Sequence, residues 1–172
     1  MVLAGFLVGC SAGEEKAVPE LPDRICWGMF DSGDVSPILP TGERAKVLFR
    51  PFALSGRYNS VTCSVSIDGA TKFMAYVNLQ EFEGVDWSNL DKANPKPIDV
   101  GDKGIFWGRG ASAYFACESP TKGESDGRYL DLTVSSDGVS GKGKLETVLP
   151  KLLRQFVEFV RNEMKCEEGG AG

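Results

Sequence analysis

The sequence predicts an α+β domain in which a mostly antiparallel sheet of about five or six strands carries a short N-terminal helix and a long C-terminal helix on one face. Three observations predict it. Val61-Thr62-Cys63-Ser64-Val65-Ser66-Ile67-Asp68 alternates strictly, with Val61, Cys63, Val65 and Ile67 on one side and hydroxyls or Asp on the other. From Leu145 to Met164 apolar residues recur instead at three and four, the period of an amphipathic helix. Cys26, Cys63, Cys117 and Cys166 then form an even set once Cys10, set apart near the N-terminus, is given another role.

Taken in order, Asp31 or Ser32 can cap one or two helical turns that Pro40 stops. Lys46 to Leu54 reads as a first strand, with Pro51 marking an edge or a bend. Phe73, Ala75, Val77 and Leu79 match the apolar set of the clearest strand, which places Val65 opposite Phe73, Cys63 opposite Ala75 and Val61 opposite Val77. That register implies a connection of Asp68 to Ala70, because a two-residue Asp68-Gly69 turn would set Val65 against Lys72. Gln80 to Lys103 is acidic and broken by glycine and proline, a long connection with a turn of helix near Trp87 to Asp91. Gly104 to Trp107 and Ala111 to Cys117 read as strands around Gly108-Arg109-Gly110, Glu118 to Gly127 as a polar hairpin loop, and Arg128 to Ser135 as a strand with Leu130, Leu132 and Val134 inward. Pro150 suits only a first turn, so the last helix is expected to begin near Thr147 and end near Cys166. Its Leu149, Leu152, Phe156 and Val160 stripe should lie on the sheet side of Cys63, Ala75, Phe115 and Leu132.

Composition excludes several functions. A net charge of −5 argues against nucleic-acid binding, which needs cations to neutralise phosphate. The absence of histidine removes the commonest general base and the usual activator of a serine or cysteine nucleophile. The cysteines contain no CxxC pair that would suggest zinc, and no cofactor is expected. In an oxidising compartment they imply two disulfides. Three pairings are possible; Cys26–Cys63 with Cys117–Cys166 is preferred, because each ties the end of a helical segment to a strand.

The N-terminal run Met1 to Gly9 is uncharged and nearly all apolar, and polar residues begin after Cys10. It reads as the end of a secretory signal peptide, far short of the roughly 20 residues that span a bilayer, with a start expected further upstream because no basic residue precedes it. Leu7-Val8-Gly9-Cys10 resembles the bacterial lipobox, which implies diacylglycerol on the Cys10 thiol and cleavage before it. The expected organisation is residues 1–9 as signal peptide, 10–22 as lipidated cysteine and flexible tether, 23–166 as one extracytoplasmic domain, and 167–172 as a disordered tail. With Cys26 before a short helix containing Asp34-Val35 and Ile38-Leu39-Pro40, the strand Cys63-Ser64-Val65 and a terminal helix, the chain is similar to the small cysteine-bridged lipoproteins of actinobacteria. That resemblance implies a secreted α+β domain with internal disulfides, anchored by lipid on the outer face of a cell membrane, and it brings no biochemical function.

Several motifs invite a sharper reading. Gly138 to Lys144 has GxxxxGK spacing, but Leu145 stands where a phosphate loop needs Ser or Thr for magnesium, so a flexible connection is the better reading. Ser119-Pro120-Thr121-Lys122 spells SxxK without the helix or partner motifs of penicillin-recognising enzymes. Asp86, Asp91, Asp99 and Asp102 lack calcium-loop spacing and read as a solvated face. Trp87, Phe106, Trp107 and Arg109 flank glycine-rich turns and are the candidate binding surface for an envelope protein or glycan. The leading expectation is a non-enzymatic binding or accessory module at the cell envelope. A glycan-directed enzyme using carboxylates and a purely structural lipoprotein are the alternatives.

Overall fold

The computed structural model describes residues 17–55, 58–117, 128–138 and 142–166. A small ladder of Arg24–Ile25 (β1) and Phe30–Asp31 (β2) leads into a one-turn helix, Ser32–Val35 (α1), and a 3-10 turn over Ser36–Ile38. Strands Ala45–Phe49 (β3), Ser60–Ile67 (β4), Ala70–Gln80 (β5), Lys96–Pro97 (β6), Lys103–Trp107 (β7), Gly110–Cys117 (β8) and Arg128–Ser136 (β9) follow, and helix Lys142–Met164 (α2) closes the fold. The main sheet has the order β3-β4-β5-β9-β8-β7-β6 and is antiparallel at every pairing. The α+β class is as expected, but seven strands in this sheet and two in the small ladder exceed five or six. The additional strands, β1, β2 and β6, are two residues each, too short for alternation to register in the sequence.

Alternation sets the faces. Val61, Cys63 and Val65 of β4 stand opposite Val77, Ala75 and Phe73 of β5, which in turn adjoin Leu132, Val134 and Ser136 of β9. All the apolar members are buried and form one core with Ala111, Ala113 and Phe115 of β8. The turn corrects the expected three-residue connection. Ile67 pairs with Ala70, leaving a two-residue Asp68-Gly69 turn with φ of 49° and 86°, the doubly left-handed geometry that suits a hairpin. The extra residue is absorbed at Lys72, a bulge between the Ser66–Thr71 and Val65–Phe73 pairs, so both the tight turn and the apolar register are kept.

Helix α2 lies against β8 and β9, burying Leu145, Leu149, Leu152, Leu153, Phe156 and Val160. It begins at Lys142, ahead of the expected Thr147, which moves Pro150 from the first turn into the interior of the helix. The proline forgoes one main-chain hydrogen bond, and the earlier start brings Leu145, 3 % exposed, onto the same stripe one turn before Leu149. Asp34 of α1 accepts hydrogen bonds from Lys151 Nζ (2.7 Å) and Gln155 Nε2 (3.0 Å), joining the two helices. These bonds hold the Asp34 carboxyl below the usual range.

The cysteine pairs are Cys26–Cys63 and Cys117–Cys166, with Cα separations of 5.5 and 4.8 Å. The first ties the β1–β2 turn to the centre of β4, and the second ties the end of β8 to the residue that follows the last turn of α2. In the chain-entropy model each closed loop contributes about 4 kcal/mol. Between the small ladder and the sheet, Trp27 stacks near Phe156 and Phe159 at centroid distances of 6.2 and 6.0 Å, and its Nε1 donates to the Arg50 carbonyl at 2.6 Å. The folded unit also starts earlier than residue 23. Leu21 is buried, Val18 packs against the core and the Gly42 N–H donates to the Ala17 carbonyl, so at least residues 17–22 belong to the domain and not to a tether. Cys10, the expected signal segment, the expected hairpin loop over Glu118 to Gly127 and the expected tail over residues 167–172 lie outside the described residues.

Candidate functional site

Side chains fill the helix-covered face of the sheet, so polar chemistry falls to the opposite face. There the register forms rows across β5, β9 and β8. Asn78, Asp131 and Tyr114 share one row, Tyr76, Thr133 and Ser112 the next, and Gln80 and Tyr129 stand side by side in a third. Asp131 occupies the outward position of Leu130-Asp131-Leu132, so burial of its two neighbours in the core directs its carboxyl onto this face. The Ser112 and Thr133 hydroxyls meet at 2.6 Å across β8 and β9, and the Tyr114 and Tyr129 rings stack at 5.9 Å.

The connection after β5 folds back over these rows. The Gly84 N–H donates to Tyr114 Oη at 2.7 Å, and Trp87 Nε1, just before the 3-10 turn Ser88–Ala93, donates to Asp131 Oδ1 at 3.4 Å. Burial pushes the Asp131 carboxyl up to about 6, against the opposing effect of the Trp87 hydrogen bond. Tyr114 is also raised, first by burial and then by the charges of Glu83, Tyr129 and Asp102, while the Gly84 hydrogen bond acts the other way. Gln80 Oε1 is buried without a hydrogen-bond partner among the described residues. The result is a half-buried carboxyl beneath an indole, with a carboxamide and a phenol on either side of it.

Such a carboxyl accepts hydrogen bonds from a hydroxyl or an amine, and the surrounding rings offer faces for a sugar or an aliphatic group. Its neighbours along and across the ladder, Asn78, Tyr114, Tyr129 and Thr133, include no second acid. Paired-carboxylate hydrolysis of a glycoside requires an acid and a base or nucleophile on opposite sides of the bond.

The four residues of the expected aromatic surface are not brought together. Trp87 belongs to the site just described. Phe106 pairs with Ala111 on the core side and is only 6 % exposed. Alternation sends the adjacent Trp107 to the other face, where its ring lies against Gly110. Arg109 sits in the β7–β8 turn and forms an ion pair with Asp137. Consecutive residues of a strand cannot build one flat platform, which corrects the grouping of Phe106 with Trp107. Among the acidic residues, Asp86 accepts from the Ser88 N–H at 2.9 Å and Asp102 from the Ala116 N–H at 2.8 Å, so both shape the connection. Gly138 packs beside Pro40, while residues 139–141 and the SxxK serine and lysine lie outside the described residues.

Asp131, Asn78, Tyr114, Tyr129 and Gln80 were not singled out in the sequence. The only local signal was an acid in the middle of an alternating apolar strand, and it becomes informative once the register shows its neighbours. Fold and site together define a disulfide-bonded α+β domain with a partly covered polar sheet face. Comparison with known proteins finds no matching family model, no similar curated protein and no similar solved structure.

Proposed function

We propose that the chain is a lipid-anchored domain displayed on the outer face of a cell membrane, and that it works as a non-enzymatic binding or accessory module for an envelope component. The observation that carries this reading is the division of the cysteines: four are taken up in two disulfides, leaving Cys10 in Leu7-Val8-Gly9-Cys10 for a separate role. Disulfides belong to an oxidising compartment, and two acyl chains on one cysteine hold a protein on a bilayer with little exchange. Asp131 has amide, phenol and hydroxyl groups, and no second carboxyl, as its immediate ladder neighbours, which supports binding over paired-carboxylate catalysis, with envelope glycans as the candidate ligand.

Intact mass spectrometry of protein extracted from the membranes of a secreting bacterium should show a diacylglyceryl group on an N-terminal Cys10. An unmodified thiol at that position overturns the anchor. Soluble envelope glycan fragments should give a saturable change in Trp87 emission that Asp131→Asn weakens. Turnover of the fragments by the wild-type chain overturns the non-enzymatic reading.

A further inference from the structure

The two ends of the seven-stranded sheet are finished differently. At one end β6 has two residues, and Pro97 is one of them, with no N–H to offer a new neighbour. At the other end β3 is a five-residue strand whose outer edge meets no further strand among the described residues. The Asp68 N–H donates to the Arg44 carbonyl at 2.9 Å, and Ala45 stands opposite Ile67, which sets the phase of the ladder. Arg44, Lys46 and Leu48 therefore turn their main-chain groups toward β4, whereas Ala45, Val47 and Phe49 turn theirs outward. Among the described residues these outward groups meet no partner.

The side chains along this edge are equally specific. Leu48 is 46 % and Phe49 52 % exposed, and Phe49 belongs to an aromatic group with Trp27, whose ring lies 6.1 Å away. Two open depressions, of about 480 and 500 Å³, run along the β3–β4 face and share Leu48 in their linings. Arg44, Lys46 and Arg50 punctuate the same face, and none of them meets a carboxylate among the described residues. Asp68, which shares one depression, is taken up by the main-chain N–H groups of Glu43 and Arg44. In a chain of net charge −5, the stretch from Arg44 to Arg50 contains three cations and no acid.

We propose that the β3 edge accepts an extended acidic segment of a partner protein as an added antiparallel strand. Main-chain bonds to Ala45, Val47 and Phe49 would supply affinity, and the alternate side chains would supply selectivity. Acids opposite Arg44, Lys46 and Arg50 and an apolar residue opposite Leu48 complete the face. The cations also argue against a second copy of the chain as the occupant. Antiparallel self-pairing about Val47 sets Arg44 against Arg50 on both sides, and like charges directly opposite are destabilising. This surface is separate from the Asp131 site and does not depend on whether Cys10 is acylated.

The test uses the oxidised full chain and the synthetic peptide Glu-Val-Leu-Thr-Glu-Val-Glu with blocked ends, followed by amide chemical shifts. Saturable shifts should centre on residues 45–49 and Trp27, and affinity should fall at least tenfold in the Lys46→Glu, Arg50→Glu double variant. Val47→Pro should abolish binding with the circular dichroism spectrum unchanged, because the N–H it removes points away from β4. If Val47→Pro leaves the fold less stable, the double variant, altered only at exposed side chains, still decides the matter. Equal binding of a peptide with Lys in place of Glu, shifts centred elsewhere, undiminished affinity in the double variant, or dimerisation of the chain through β3 would each overturn the proposal.

Discussion

Replacing Asp131 by Asn should stabilise the protein at neutral pH and leave it nearly unchanged near pH 4. The folded-state pKa of this carboxyl is raised from 3.8 to about 6, so between those values the folded chain binds more protons than the unfolded one. Stability attributable to Asp131 is thus fully present below the unfolded value, declines as pH rises through about 6, and is level above it. The full linkage corresponds to about 3 kcal/mol. Asp131 is only half-buried, and solvent screening brings the expected effect to about 1 to 2 kcal/mol. The Asn amide keeps an oxygen for Trp87 Nε1 and carries no charge at any pH. Urea unfolding of both oxidised proteins at several pH values between 4 and 8 measures the difference, and subtraction cancels the opposing effects of Asp34 and Asp86, whose carboxyls are held low in both. A difference that does not change with pH would refute the raised carboxyl. A variant that loses stability most at neutral pH would show that the ionised form is the one the fold favours.

Two further outcomes follow from the packing. Phe156→Ala should cost about 3 to 5 kcal/mol, because the side chain is fully buried beside Trp27 and Phe30. A lowered urea midpoint with a shift in tryptophan emission checks it, and an unchanged midpoint would show that the helix does not seal this part of the core. Replacing Cys117 and Cys166 together by Ser should cost about 4 kcal/mol in the chain-entropy model, with amide exchange accelerated first in the last turns of α2. Uniform acceleration throughout the sheet would instead mean that this disulfide supports the whole fold cooperatively.

The legible parts of this fold were those whose periodicity is long enough to average over exceptions. Val61 to Ile67, Phe73 to Leu79 and Leu130 to Val134 alternate over at least five residues, and each strand formed with the expected face inward. Where tertiary contacts decide, the pattern was silent. β1, β2 and β6 are two residues each, held by what they pack against and not by their own propensity. Pro150 argued locally for a late helix start, but burial of Leu145 one turn earlier outweighed it. Nor did the pattern mark Trp27 as central. It follows Cys26 in a turn where three successive residues have positive φ, and its aromatic neighbours come from β3, the segment after it, and α2.

The hairpin between β4 and β5 shows why faces were easier to read than connections. A one-residue slip would move every apolar side chain of a strand to the wrong side, so the register of Val65 with Phe73 is held by the entire core. The turn is held only by local geometry, and one bulged residue reconciles the two. The same inequality explains why the candidate site was harder to see than the core. An outward polar residue in an alternating strand is what any solvated sheet face presents, and Asp131 differs only because β5 and β8 flank it and a segment more than 40 residues earlier in the chain lays Trp87 over it. The connection covers the polar face around β9, and among the described residues the cationic edge of β3 is left open. Among the described residues one sheet thereby presents a half-buried carboxyl at its centre and an unpaired strand at its rim, and on the proposed readings a ligand of the first should respond to the protonation of Asp131 and a peptide on the second to salt.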